Sequence, residues 1–143
     1  MSISSILGQK GRQVITARAN QTLQEICELL AANRIGAVVL TDDDMHIEGI
    51  LSERDIVRAI SQEGPGVLAT PAQGQMSRNV VTAQEKDTVD AVLGRMSEGR
   101  FRHMPVVRDG RLIGVVSIGD IVKRKIEHAE REAAEIRNYI ATA

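Results

Sequence analysis

The chain has 143 residues, with 18 Lys and Arg against 19 Asp and Glu, a single cysteine, and 1% aromatic residues, Phe101 and Tyr139. That balance excludes the basic field that holds a nucleic-acid backbone, the stacking platforms that bind bases, and any internal disulfide or cysteine-based metal cage. No stretch approaches the roughly 18 apolar residues of a membrane span, and Met1 to Leu7 has no basic segment before an apolar run, so a soluble cytoplasmic protein with an aliphatic core is expected.

In chain order, the first expected element is an extended piece at 13–16. A helix follows near 22–33, where Leu23, Ile26, Cys27 and Leu30 recur at helical spacing. A β-branched run at 35–41, an acidic turn at 42–44 and a second strand at 47–51 come next, and a helix starts near Glu53. The stretch from 61 to 75, with Gly64, Pro65, Gly66, Pro71 and Gly74, reads as a linker. The pattern then recurs. An extended piece is expected at 79–82, and a helix near 88–98 carries Val89, Val92, Leu93 and Met96 on one face. Strands at 104–107 and 112–116 flank a turn at 108–110, and a helix opens near Ile118. That last helix runs on to about 140 without Gly or Pro. Val122, Ile126, Ala129, Ala133, Ile136 and Ile140 step by alternating fours and threes, a short heptad-like seam.

The recurrence is an internal repeat. An offset of 66 pairs Val14-Ile15-Thr16-Ala17 with Val80-Val81-Thr82-Ala83, Thr22 with Thr88, and Arg34 with Arg100; after the first turn an offset of 65 pairs Gly49, Ser52 and Asp55 with Gly114, Ser117 and Asp120. The fold class is therefore α/β: two β-α-β-β-α repeats, each too small to bury its sheet alone, packed through their sheets, with an extended C-terminal helix. The expected division is 8–61 for the first repeat, 62–75 for the linker, 76–126 for the second repeat and 127–143 for the helical extension.

Both repeats carry Gly-x-x-Ser-x-x-Asp where a strand enters a helix. Two readings share this geometry. In one, Ser and Asp form a capping box that satisfies the helix's free N–H groups. In the other, the same N-terminus attracts a phosphate, the hydroxyl adds a hydrogen bond, the carboxylate accepts from ribose hydroxyls, and the glycine lets backbone approach the ligand. The acidic turn lacks the spacing of a calcium loop and reads as a solvated hairpin. Cys27 lies on the apolar stripe of its helix, and His46, His103 and His128 are scattered, so neither a metal centre nor a catalytic residue is expected. Lys10-Gly11-Arg12 is too short for a phosphate-binding loop, though it stands close to where a ligand phosphate would lie.

The doubled Gly-h-x-Ser-x-x-Asp signature resembles a tandem pair of CBS (cystathionine-β-synthase-type) domains, a Bateman module. Arg102-His103-Met104-Pro105-Val106-Val107 resembles the family's His-h-Pro-Val-Val strand, and Met76-Ser77-Arg78-Asn79-Val80-Val81-Thr82 resembles the entry to a second domain. The resemblance covers about 8–126 and implies a regulatory, non-enzymatic module of the stand-alone bacterial type. It implies adenosine ligands in clefts between the repeats, with AMP or NAD(H) favoured over ADP, ATP and S-adenosylmethionine. By it, Asp55 and Asp120 would hold ribose, and Ser52 and Ser117 would contact ribose or phosphate. Thr16, Ile35, Gly36, Ala37, Val38, Thr82, Met104 and Pro105 would line the adenine clefts. Arg54, Arg100, Arg102 and His103 would supply cations for phosphates. Because the repeats differ at Gly36-Ala37 against Arg102-His103, two non-equivalent sites are expected. A homodimer and an unidentified effector protein complete the expectation; the alternative is a structural dimerisation or scaffolding module whose Ser and Asp residues only cap helices.

Overall fold

In the computed structural model, which describes residues 1–11 and 14–142, the elements run α1 (Ile3–Lys10), β1 (Thr16–Ala17), α2 (Leu23–Asn33), β2 (Ala37–Thr41), β3 (Ile47–Ser52) and α3 (Glu53–Glu63). Two 3₁₀ turns follow (Pro65–Ala69 and Ala72–Gly74), then α4 (Val89–Gly99), β4 (His103–Arg108), β5 (Arg111–Ser117) and α5 (Ile118–Thr142). The matched residue pairs explain the matched elements. Thr22 and Thr88 accept hydrogen bonds from the amides of Glu25 and Ala91, at 3.2 and 3.1 Å, and so cap α2 and α4. Arg34 and Arg100 end the same two helices in the left-handed conformation, at φ 54° and 57°.

β2 pairs in parallel with β1 and antiparallel with β3, and β4 pairs antiparallel with β5. The extended piece expected at 13–16 is observed as Thr16–Ala17; Gln13, like Arg12, lies outside the described residues. Its counterpart at 79–82 forms no strand. Only Ala83 bridges Val106, in the register that Ala17 keeps with Leu40. The preceding residues leave the sheet edge in a tight turn, with the Val80 amide donating to the Arg78 carbonyl at 3.1 Å.

Every residue of β2 is buried. Alternation sends Val38 and Leu40 into a core with Leu23, Ile26, Leu51 and Ile56, and turns Val39 to the opposite face. A strand buried on both faces needs cover on both. In the second repeat, Met104 and Val106 join Val92, Val116 and Ile121, while Pro105 is buried on the other face. A backbone hydrogen bond from Leu112 to Met45 (2.9 Å) ties the tip of the first hairpin to β5.

The segment before each repeat packs on the other repeat. α1 sends Ile3, Ile6 and Leu7 into the second core, and the stretch expected to be a linker, with Met76 just beyond it, sends Val67, Ala72 and Met76 into the first. The hydrogen bonds match at an offset of 69 in the straps and 66 in the repeats that hold them. Leu23 donates to Thr70 as Val89 does to Met1, Ala72 to Gln21 as Ile3 does to Asp87, and Gln73 to Ala19 as Ser4 does to Glu85. This arrangement gives the signature glycines a role other than the one expected from the sequence. A Cβ on Gly49 would lie 2.6 Å from Met76 Sδ, and one on Gly114 would lie 2.6 Å from Leu7 Cδ2. Each strap seats a side chain on its glycine, so what closely approaches the backbone is the strap.

Candidate functional site

Strand β3 ends at Ser52, which caps α3. The Ser52 hydroxyl accepts from the Asp55 amide at 3.2 Å, and Asp55 Oδ2 accepts from the Ser52 amide at 2.9 Å. Arg58, one turn along, donates to Asp55 Oδ1 at 3.3 Å. Ser117 and Asp120 repeat the box at the start of α5, with bonds of 3.1 and 2.9 Å. The capping reading is therefore realised in both repeats, and it leaves each carboxylate with lone pairs to spare.

A cavity of about 390 Å³ opens at the first box. The first repeat contributes Gly36, Ala37, Ile50, Ser52, Glu53, Arg54, Asp55 and Arg58. The segment entering the second repeat adds Ser77, Asn79, Val80 and Val81, and the turn into β4 adds Gly99, Arg100, Phe101, Arg102 and His103. Four arginines, Arg54, Arg58, Arg100 and Arg102, line the cavity together with Glu53 and Asp55. A helix N-terminus, a carboxylate and guanidinium groups together suit a ligand with hydroxyls at one end and negative charge at the other.

Of the residues singled out from the sequence, Gly36, Ala37, Ser52, Arg54, Asp55, Arg100, Arg102 and His103 come together around this cavity. Thr16, Ile35, Val38, Thr82, Met104 and Pro105 are not among its lining residues; Val38 and Met104 point into the two cores instead. Sequence reasoning missed Glu53, Arg58, Phe101 and the 77–81 segment. Arg58 was accessible, because it lies one helical turn beyond Asp55. The cross-repeat approach of 77–81 depends on tertiary packing and has no local signal.

His103 stands between the two repeats. A Cβ on Gly36 would sit 3.4 Å from its Cε1 and 3.5 Å from Glu53 Oε1. Burial pushes the His103 ring below the ordinary imidazole range, and Lys10 and Arg102 push it the same way against the pull of Asp120 and Glu53. At neutral pH it is a neutral hydrogen-bonding ring, a weaker phosphate partner than the arginines.

At the second box the surroundings differ. Lys10 Nζ, at the end of α1, donates to Asp120 Oδ2 at 2.7 Å and to the Val115 carbonyl at 2.8 Å. Burial raises the Asp120 carboxyl, but the Lys10 ammonium and the Ser117 amide outweigh it and hold the group below its usual range. Among the described residues no cluster of His, Cys, Asp and Glu is arranged to hold a metal, and no helix is long and apolar enough to cross a membrane.

Two α/β repeats strapped reciprocally, with a polar cleft at a helix start between them, define a tandem-repeat module. The chain belongs to the CBS-domain family: the family model matches it twice, at residues 10–62 and 74–127. It is 36% identical over 132 residues, 92% of its length, to the CBS domain-containing protein CBSCBSPB1 of Arabidopsis thaliana, and spans about a quarter (24%) of that relative. Among solved structures, a CBS-domain containing protein from Agrobacterium tumefaciens is 41% identical with a TM-score of 0.85, covering 87% of this chain and 99% of that one. A CBS domain protein from Pyrobaculum aerophilum, complexed with AMP, is 32% identical with a TM-score of 0.75, over 84% of this chain and 89% of that one. The CBS domain pair of protein MJ0100, in complex with 5′-methylthioadenosine and S-adenosyl-L-methionine, is 29% identical with a TM-score of 0.80, over 90% of this chain and 98% of that one.

Proposed function

We propose that this chain is a regulatory module that binds an adenosine nucleotide in the cavity beside Asp55. The observation that carries the reading is the convergence, in one cleft, of the capped start of α3, the Asp55 carboxylate and four arginines. Asp55 holds the ribose hydroxyls, the Ser52 region and the α3 N-terminus face the phosphate, and Arg54, Arg100 and Arg102 neutralise it. Adenine lies against Gly36 and Ala37. At about 390 Å³ the cavity is near the lower end of the roughly 300–1,000 Å³ typical of small-molecule sites, which favours AMP over NAD(H) with its second nucleoside. The AMP complex of the Pyrobaculum aerophilum relative supports the same choice.

The reading is regulatory rather than catalytic. The Ser52 hydroxyl donates to Asp55 Oδ2 and accepts from the Asp55 amide, so it is committed to the helix cap. Output then passes to an effector protein, and it requires that ligand favour one of two arrangements. We also propose a homodimer. Val57 on α3 and Val122 on α5, matched at the offset of 65, are both exposed, as are Ile126, Ile136 and Ile140 along the seam of α5. A two-fold partner covers both helices with one self-complementary surface. The proposed division remains 8–61 and 76–126 for the repeats, with 62–75 between them and 127–143 as extension. The scaffolding alternative has one observation in its favour, that Ser and Asp satisfy one another as a capping box in both repeats.

Thermal melting separates the two. AMP at about 100 times its dissociation constant stabilises a one-site binder by about 2.7 kcal/mol, and the melting temperature rises by several degrees. A scaffold shows no shift with AMP, NAD(H) or S-adenosylmethionine.

A further inference from the structure

The two repeats superimpose in sequence and in hydrogen bonding, so the places where they differ are informative. At the first box, β3 pairs with the incoming strap through backbone alone: the Ser77 amide donates to the Ile50 carbonyl at 2.9 Å and the Ile50 amide to the Ser77 carbonyl at 3.0 Å. The residue matching Ile50 is Val115, and its carbonyl accepts instead from the Lys10 ammonium, at 2.8 Å. The cause is visible in the chain. Leu7 on Gly114 matches Met76 on Gly49, yet six residues separate Leu7 from Val14 where three separate Met76 from Val80. The extra residues lengthen α1 by most of a turn and carry Lys10 to the second carboxylate.

We propose that Lys10 is a built-in occupant of the second Ser-x-x-Asp site: its ammonium is paired with the Asp120 carboxylate on which a ribose would rest, so the Asp55 cavity fills first and the Asp120 site fills more weakly until Lys10 lets go. This rests on the adenosine-ligand reading of the two Ser-x-x-Asp sites. The latch is a weak one. The Lys10 and Asp120 side chains are 43% and 26% exposed, and pairs in such surroundings are worth little. A ligand displaces it at a cost in affinity of about two- to fivefold. Linkage works in both directions, so ligand at the second site loosens the end of α1. Because α1 packs on the second repeat while leading into β1 of the first, its release is felt on both sides of the module.

The test is calorimetric titration of AMP into four full-length chains: wild type, Asp55→Ala, Lys10→Ala, and the double variant. Asp55→Ala weakens the first cavity, so the difference between it and the double variant reports on the second site. The expected result is that the double variant binds AMP about two- to fivefold more tightly than Asp55→Ala, and that Lys10→Ala in the wild-type background strengthens a second event. Equal or weaker binding by the double variant overturns the latch and makes Lys10 a bystander or a phosphate partner. Binding by wild type with none by either Asp55→Ala chain also overturns it, because Asp120 is then part of no site. Absence of binding by all four chains overturns the adenosine reading itself, a different and recognisable failure.

Discussion

Asp55→Ala is expected to weaken AMP binding by roughly 10- to 100-fold, because charge-assisted hydrogen bonds contribute about 1.5–3 kcal/mol each. Titration calorimetry against the wild-type chain measures it. The substitution also removes the acceptor for the Ser52 amide, so part of any effect on folding comes from the lost cap, about 1 kcal/mol. Asp55→Asn separates the two contributions. Its amide oxygen still accepts from Ser52, so the helix start survives, but it no longer offers two acceptors and a full charge to a ribose. Wild-type affinity in Asp55→Asn would mean that the carboxylate serves only the helix.

The second large effect concerns stability. Leu7→Ala is expected to destabilise the fold by about 2–5 kcal/mol in urea unfolding, the range for a buried leucine that leaves a cavity. Leu7 is 1% exposed, sits in the second core, and fills the space above Gly114. Adding Gly114→Ala should recover part of the loss, since the new methyl enters the space Leu7 vacated, and the two changes should be non-additive. A loss below about 1 kcal/mol for Leu7→Ala would mean that α1 is a loosely attached tail.

That prediction marks where sequence reading stops. The repeats were legible because each matched pair carries a local structural duty. Thr22 and Thr88 cap, Arg34 and Arg100 close helices, and Ser52–Asp55 and Ser117–Asp120 form boxes. The helical spacing of the apolar residues and the β-branched runs between polar turns carry the helix and strand order for the same reason. α1 was not legible. Ile3, Ile6 and Leu7 make a short apolar face, and the partners that hold it, Glu85, Asp87 and Val89, lie some eighty residues away. A faint signal did exist, since Ile3 and Leu7 have the spacing of Ala72 and Met76.

The candidate site divides along the same line. The Ser and Asp residues and the arginines near them were visible as motif and charge. The glycine of the motif was visible too, but its role was not: only the packed straps show that Met76 and Leu7 occupy the space beside it. In the sequence Lys10 reads as part of a basic tripeptide near a ligand phosphate, too short for a phosphate-binding loop. Its contact with Asp120 joins residues 110 positions apart, and the length of α1 that makes the contact possible appears only when the two straps are compared.

Native mass spectrometry of the purified chain titrated with AMP tests the central claim most directly. The account predicts a first adduct of one nucleotide per chain, present in the wild type and lost in Asp55→Asn under the same conditions. A chain that carries no adduct with AMP, NAD(H) or S-adenosylmethionine, or whose adduct is unchanged in Asp55→Asn, would contradict it and leave helix capping as the whole role of Ser52 and Asp55.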